Sequence, residues 1–166
     1  MKTIKNYTAQ LKSQKGFTLI ELLVVIGILA VLLAITLIAI NPARQFQQAN
    51  NTQRSSDVNA ILNAVGQYMV DNNGDLSALN IPVGSASAAV IASTGGVDFC
   101  PSIVPTYIAE MPVDPQSGNW VDCTNYNSGY TIYRSNADSR VTVSAPGTEP
   151  VDTPTNITTN DISVTR

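Results

Sequence analysis

An apolar run close to the start of the chain limits its possible folds more than anything else in the sequence. From Phe17 to Ile40 the residues read FTLIELLVVIGILAVLLAITLIAI, and only Thr18, Glu21, Gly27 and Thr36 interrupt the apolar pattern. As a helix rising 1.5 Å per residue, the run reaches about 36 Å, enough to cross a hydrocarbon core of roughly 30 Å. The 166-residue chain is 44% hydrophobic and 13% charged, which by itself allows either a packed core or a membrane segment. Concentration of the apolar residues in one block decides for the membrane.

Charge divides at the same place. Four of the nine basic residues, Lys2, Lys5, Lys12 and Lys15, precede the run, and none of the twelve acidic ones does. The remainder carries five Arg and no Lys against all twelve Asp and Glu, a net charge of −7. The positive-inside rule then puts the N-terminus in the cytoplasm and everything beyond Asn41 outside. So acidic an exported part argues against non-specific nucleic-acid binding, which rests on clustered Lys and Arg.

Both cysteines, Cys100 and Cys123, fall in the part expected outside. In an oxidising compartment an even count points to a disulfide, with two buried free thiols as the alternative. The bridge would close a loop of about 24 residues, worth roughly 3 kcal/mol in the chain-entropy model. Their spacing excludes a CxxC redox or metal motif. With no His in the chain, most zinc sites and every His-based catalytic dyad are excluded as well.

A secretory signal would be cut after its apolar stretch, at small residues. Here Lys15-Gly16-Phe17-Thr18-Leu19-Ile20-Glu21 puts a basic residue and a glycine before the run and an acid at its fifth position. The block from Lys15 to about Ala34, KGFTLIELLVVIGILAVLLA, resembles the N-terminal block of the type IV filament superfamily: type IV pilins, competence pilins and type II secretion pseudopilins. The resemblance implies cleavage between Gly16 and Phe17 by a prepilin peptidase and N-methylation of the new Phe17 amine. A glycine suits the scissile position because no side chain obstructs a narrow protease site; the plainer reading of Gly16 is a helix-boundary residue.

Glu21 sits about 6 Å deeper along the helix than Phe17, where an unpartnered carboxylate costs up to roughly 3 kcal/mol. The resemblance implies that it meets the N-terminal amine of a neighbouring subunit and so guides filament assembly. Snorkelling to the headgroups is the alternative. Gly27, Ala30 and Ala34 fall at intervals of three and four, either as a close-packing face or as ordinary membrane composition.

Asn41-Pro42 follows the run, and proline predicts a kink or break there. Beyond it Ala43, Phe46 and Ala49, then Val58, Ile61, Leu62, Val65, Tyr68 and Met69, recur at helical spacing among polar residues, which predicts an amphipathic helix. Asp71-Asn72-Asn73-Gly74 supplies its left-handed stop. NPARQ and QRSSDVNAI extend the family resemblance more weakly, although Ile38 stands where many members carry a proline.

In the remaining head, Tyr130–Arg134 and Arg140–Ser144 alternate as two antiparallel strands joined by the turn 135–139. A third strand is expected through Trp120-Val121-Asp122. SASAAVIAST, Ser85 to Thr94, reads as one or two helical turns or a loop. Met111-Pro-Val-Asp114-Pro115-x-x-Gly118 resembles a turn found before the sheet in many pseudopilins and related pilins. Some pseudopilins bind calcium in the loops that follow, and Asp114, Asp122 and Asp138 offer oxygen atoms, but loop aspartates more often form solvated turns and no EF-hand spacing is present. No metal or cofactor is therefore expected. The Thr/Pro-rich end is expected as an exposed tail or an edge strand at 161–165, with a sequon at Asn156-Ile-Thr158.

The expected fold is α+β: a basic leader (1–16), a transmembrane assembly helix (17–40), an amphipathic second half (41–70) and a head (71–166) with a small antiparallel sheet against the helix. No nucleophile elbow, phosphate loop or recognisable carboxylate pair is present, so an enzyme is not expected. The resemblance implies a structural filament subunit, with a pseudopilin or a DNA-uptake pilin as the alternative. The implied partners are identical or homologous subunits, a prepilin peptidase, an inner-membrane assembly platform and, before assembly, membrane lipid.

Overall fold

The computed structural model describes residues 16–148 and 162–166. Most of the basic leader and the Asn156 sequon lie outside the described residues. The chain divides at Asn41 into two compact units.

The first unit holds helix α1, Leu19–Ile40, whose side chains are exposed from Leu19 through Ala39. Its stretch Leu19–Ala39 is long and apolar enough to cross a membrane. It stops at Asn41, which is left-handed with φ 41°. Pro42 is the reason, since a proline disfavours right-handed helical geometry at the residue before it. The same proline then opens α2, Pro42–Asp71, at a first position where its missing N–H costs nothing. The break expected at Asn41-Pro42 is found there. α2 ends at left-handed Asn73 and Gly74 (φ 53° and 87°), and the Gly74 N–H donates to the Met69 carbonyl at 2.8 Å.

Only the middle of α2 is buried. Arg54, Asp57, Val58, Ile61, Leu62 and Val65, which recur once per helical turn as singles or adjacent pairs, face the head. Ala43, Phe46 and Ala49, which the spacing counted among the apolar positions of the amphipathic helix, are exposed, with Phe46 at 71%. Those first turns lie outside the part of α2 that packs in the core, so periodicity there marks a face that this subunit leaves uncovered.

Five strands form one antiparallel sheet. β3, Asn125–Arg134, is its axis: β1 (Ala89–Ala92), β2 (Asn119–Asp122) and β4 (Val141–Ala145) all pair with it, and β5 (Ile162–Thr165) pairs with β4. The expected 130–134/140–144 hairpin appears with Arg134 opposite Val141, the strand expected at 120–122 is present as β2, and of the two readings for the end of the chain, tail or edge strand, residues 162–165 form the strand β5. The helix-or-loop reading of Ser85–Thr94 holds for its first residues and is corrected at Ala89–Ala92, which form a strand. A short 3-10 turn at Ser85–Ser87 leads into β1, because Val90 and Ile91 are β-branched and Ile91 is fully buried.

The core lies between α2 and the sheet, where Val58, Ile61, Leu62 and Val65 share one cluster with Tyr130, Ile132 and Val143. At about 2 kcal/mol per buried aliphatic side chain, the four α2 residues supply the main attachment of helix to sheet. The short helix α3, Cys100–Ile103, adds Ile103, and Cys100 is bonded to Cys123, with Cα atoms 5.4 Å apart. This disulfide ties α3 to the turn between β2 and β3.

A polar staple joins the two layers. Arg54 and Asp114 are 0% and 1% exposed, with Arg54 Nε 2.5 Å from Asp114 Oδ2. Arg54 also donates to Asn51 Oδ1 and Gln116 Oε1. Asp114 Oδ1 accepts from the Gln116 and Ser117 amides, each at 2.9 Å, and from the Ser117 hydroxyl. Burial alone would push the Asp114 carboxyl up; the Arg54 guanidinium and these amides outweigh it and hold the pKa at about 2. Gly118 is needed to close the turn, because a Cβ there would lie 2.5 Å from the Asp114 nitrogen and 2.6 Å from Val113 Cβ. Beside the staple, Tyr130 donates to Asp57 Oδ2 at 2.8 Å and Gln53 to Oδ1 at 2.8 Å. Burial pushes both Asp57 and Tyr130 up.

Candidate functional site

The junction before α1 is built by local rules. Thr18 is the N-cap, with extended φ −79° and ψ 151°. Its hydroxyl accepts from the Glu21 amide at 3.3 Å, while Glu21 Oε2 accepts from the Thr18 amide at 2.8 Å and from its hydroxyl at 2.7 Å. This reciprocal capping box satisfies two N–H groups that the first turn of any helix leaves without partners, and it places an acid at the positive end of the helix dipole.

Gly16 and Phe17 therefore lie outside the helix, in exposed irregular backbone. Phe17 is 90% exposed, and nothing lies within 4 Å of where a Cβ on Gly16 would point. The peptide bond between them is not part of the helical ladder, which begins with the Leu22 N–H donating to the Thr18 carbonyl. An exposed segment outside a helix is open to a protease cleft in a way that a hydrogen-bonded helical turn is not.

Glu21 thus has a partner inside its own chain, which the sequence reading did not assign. Thr18-x-x-Glu21 is the signature that shows it. Its second oxygen, Oε1, takes no hydrogen bond among the described residues, leaving one acceptor for a cation from elsewhere. Gly27, Ala30 and Ala34 are exposed on α1.

The three aspartates considered for calcium do not come together. Asp114 is the buried partner of Arg54, Asp122 caps the β2–β3 turn through the Thr124 and Asn125 amides, and Asp138 binds Arg140. No group of three potential metal ligands exists among the described residues.

The prokaryotic N-terminal methylation motif matches residues 11–37, a span that contains Gly16, Phe17, the capping box and most of α1. Over 63 residues, the chain is 40% identical to the type IV wide pilus major component PilA4 of Thermus thermophilus, covering 38% of this chain and 47% of that protein. Both likenesses point to the type IV pilin superfamily. The chain spans about half the length of the curated relative it matches, and no solved structure matches it significantly. The long apolar helix, the second helix and the small antiparallel sheet of this chain are consistent with the pilin fold. The candidate site is this junction, from Gly16 to the capping box at Thr18 and Glu21.

Proposed function

We propose that this chain is a prepilin and, once processed, a structural subunit of a type IV pilus-like filament. A prepilin peptidase cuts between Gly16 and Phe17 and methylates the Phe17 amine. α1 holds the precursor in the membrane as a single pass with its N-terminus in the cytoplasm, and an assembly platform then extracts the subunit into the polymer outside. The observation that carries this reading is the methylation motif over residues 11–37, set where Gly16 and Phe17 stand open one residue before the helix cap. The likeness to a pilus major component supports a pilus over a pseudopilin. The subunit's work in this reading is polymerisation, with no catalysis of its own.

After cleavage, the new α-amine lies one residue from the capping box. An ammonium of the neighbouring subunit placed at Glu21 Oε1 gains a charge-assisted hydrogen bond while Oε2 stays on Thr18. Gly16→Leu tests the cleavage step: the precursor should stay uncut in the membrane and filaments should be absent. A fully processed Gly16→Leu chain would contradict the assignment.

A further inference from the structure

Resting on the filament reading above, we propose that Phe46 of one subunit seats in an apolar groove near the far end of α2 of the next copy. This staggered contact would repeat along the polymer. The groove measures about 690 Å³ and is walled by Leu62, Val65, Met69 and Val70 of α2 with Tyr107 and Val141 across from them. Gly66 lies among these residues, and a Cβ there would meet no atom within 4 Å. The fold of the subunit does not need this glycine. A side chain at that position would occupy the groove.

The geometry fixes what enters it. Phe46 is the largest exposed apolar side chain on the first turns of α2, and Val70 at the groove is 75% exposed. At 3.6 residues and 5.4 Å per turn, Phe46 and Gly66 differ by about 200° around the helix and about 30 Å along it. Knob and groove thus face opposite sides of one helix. Copies laid side by side in the same sense, shifted about 30 Å along α2, bring the knob of each to the groove of the next. Such a contact joins two different patches and does not close on itself, which is the condition for an open helical polymer.

The charges permit this approach. Around Phe46 the helix carries Arg44 and no acid before Asp57. The groove's rim carries Asp71, Asp138, Arg140 and Arg166; Asp138 pairs with Arg140 at 3.2 Å, Asp71 accepts from the Tyr107 hydroxyl, and Arg166 donates to Asn63. The rim is therefore balanced and does not repel Arg44. One aromatic side chain buries about 150–250 Å², far less than the roughly 1,000 Å² of a stable independent interface. Heads alone should not associate, and the contact acts only between copies that their α1 helices already hold together. The occupant is thus a second subunit within the filament.

The test is a cysteine pair, since the two native cysteines are already bonded to each other. Sheared filaments of the full chain carrying Phe46→Cys and Val70→Cys, once oxidised, should run as a ladder of multimers on non-reducing gels, and neither single variant should. Gly66→Leu should leave leader removal and head melting temperature unchanged while abolishing filaments. Double-variant filaments that give no ladder, or normal filaments from Gly66→Leu, would overturn the contact and leave the polymerisation reading intact. Should the double variant not assemble, an electron cryomicroscopy map of wild-type filaments decides by the position of the Phe46 ring, and a ring outside the groove overturns the contact. A processed wild-type chain that never polymerises would overturn both.

Discussion

Removing one member of the Arg54–Asp114 pair should cost the head much of its stability. Arg54→Met keeps the aliphatic stem but strips the guanidinium from a carboxylate only 1% exposed. Breaking a buried pair on one side costs about 3–5 kcal/mol. The two amides and the hydroxyl that still serve Asp114 put the expected loss near the lower figure, about 3 kcal/mol. For a unit spanning Pro42–Arg166, that corresponds to a fall in Tm of roughly 10 °C. Asp114→Asn should cost a similar amount by stranding Arg54, and the double variant should cost clearly less than the two singles together. The pair also sets an acid sensitivity. A pKa held at about 2 against an ordinary 3.8 gives stability that is fully present above about pH 4 and disappears as pH falls through 2, about 2 kcal/mol in all. Asp57 acts in the opposite sense, because burial raises its pKa and the folded state takes its proton first as pH falls. Comparing wild type with Asp114→Asn removes most of that background. Urea melts of the full chain in detergent, followed by the fluorescence of Trp120, the only tryptophan, between pH 7 and pH 2 measure each quantity. Arg54→Met within about 0.5 kcal/mol of wild type, or single-variant costs that simply add, would refute the staple.

Opening the Cys100–Cys123 bridge, which spans 23 positions, should lower stability by roughly 3 kcal/mol, seen as a reductant-dependent drop in the urea midpoint that a Cys100→Ser/Cys123→Ser chain no longer shows. Gly118→Ala should cost about 1–3 kcal/mol through overpacking against Asp114 and Val113, read in the same melts. Glu21→Leu should still lose its leader after Gly16 yet polymerise poorly, so processed subunits should accumulate in the membrane fraction; abundant filaments from it would remove Glu21 from assembly.

The parts of this chain written in local patterns were legible before the structure was known. The apolar run from Leu19, the Asn41-Pro42 stop, the Val58–Val65 stripe and the alternation through Tyr130–Arg134 each needs only neighbours within a turn or a strand. β1 escaped because Val90 and Ile91 are its only strong strand formers, set in Ala and Ser, and their burial depends on β3 some forty residues away. The Arg54–Asp114 pair joins positions 60 apart, beyond any periodic signal. Arg54 nevertheless stands four residues before Val58 on the buried stripe, and a cation on an apolar face is itself a hint of a buried partner. Asp114, first considered as a calcium ligand, belongs to that pair. Thr18-x-x-Glu21 carries the capping-box signature, and Glu21 is at once a charge at the membrane end of the run and the third residue of its helix. The exposed face at Phe46 shows the converse limit, because apolar spacing marks a surface to be covered without saying by which chain.

The intact mass and N-terminal sequence of the protein, purified from the sheared surface fraction of the cells that make it, test prepilin processing most directly. A chain beginning with N-methylated Phe17 is the predicted result. A chain that still begins at Met1, or one cut beyond Ala34, would contradict the prepilin assignment.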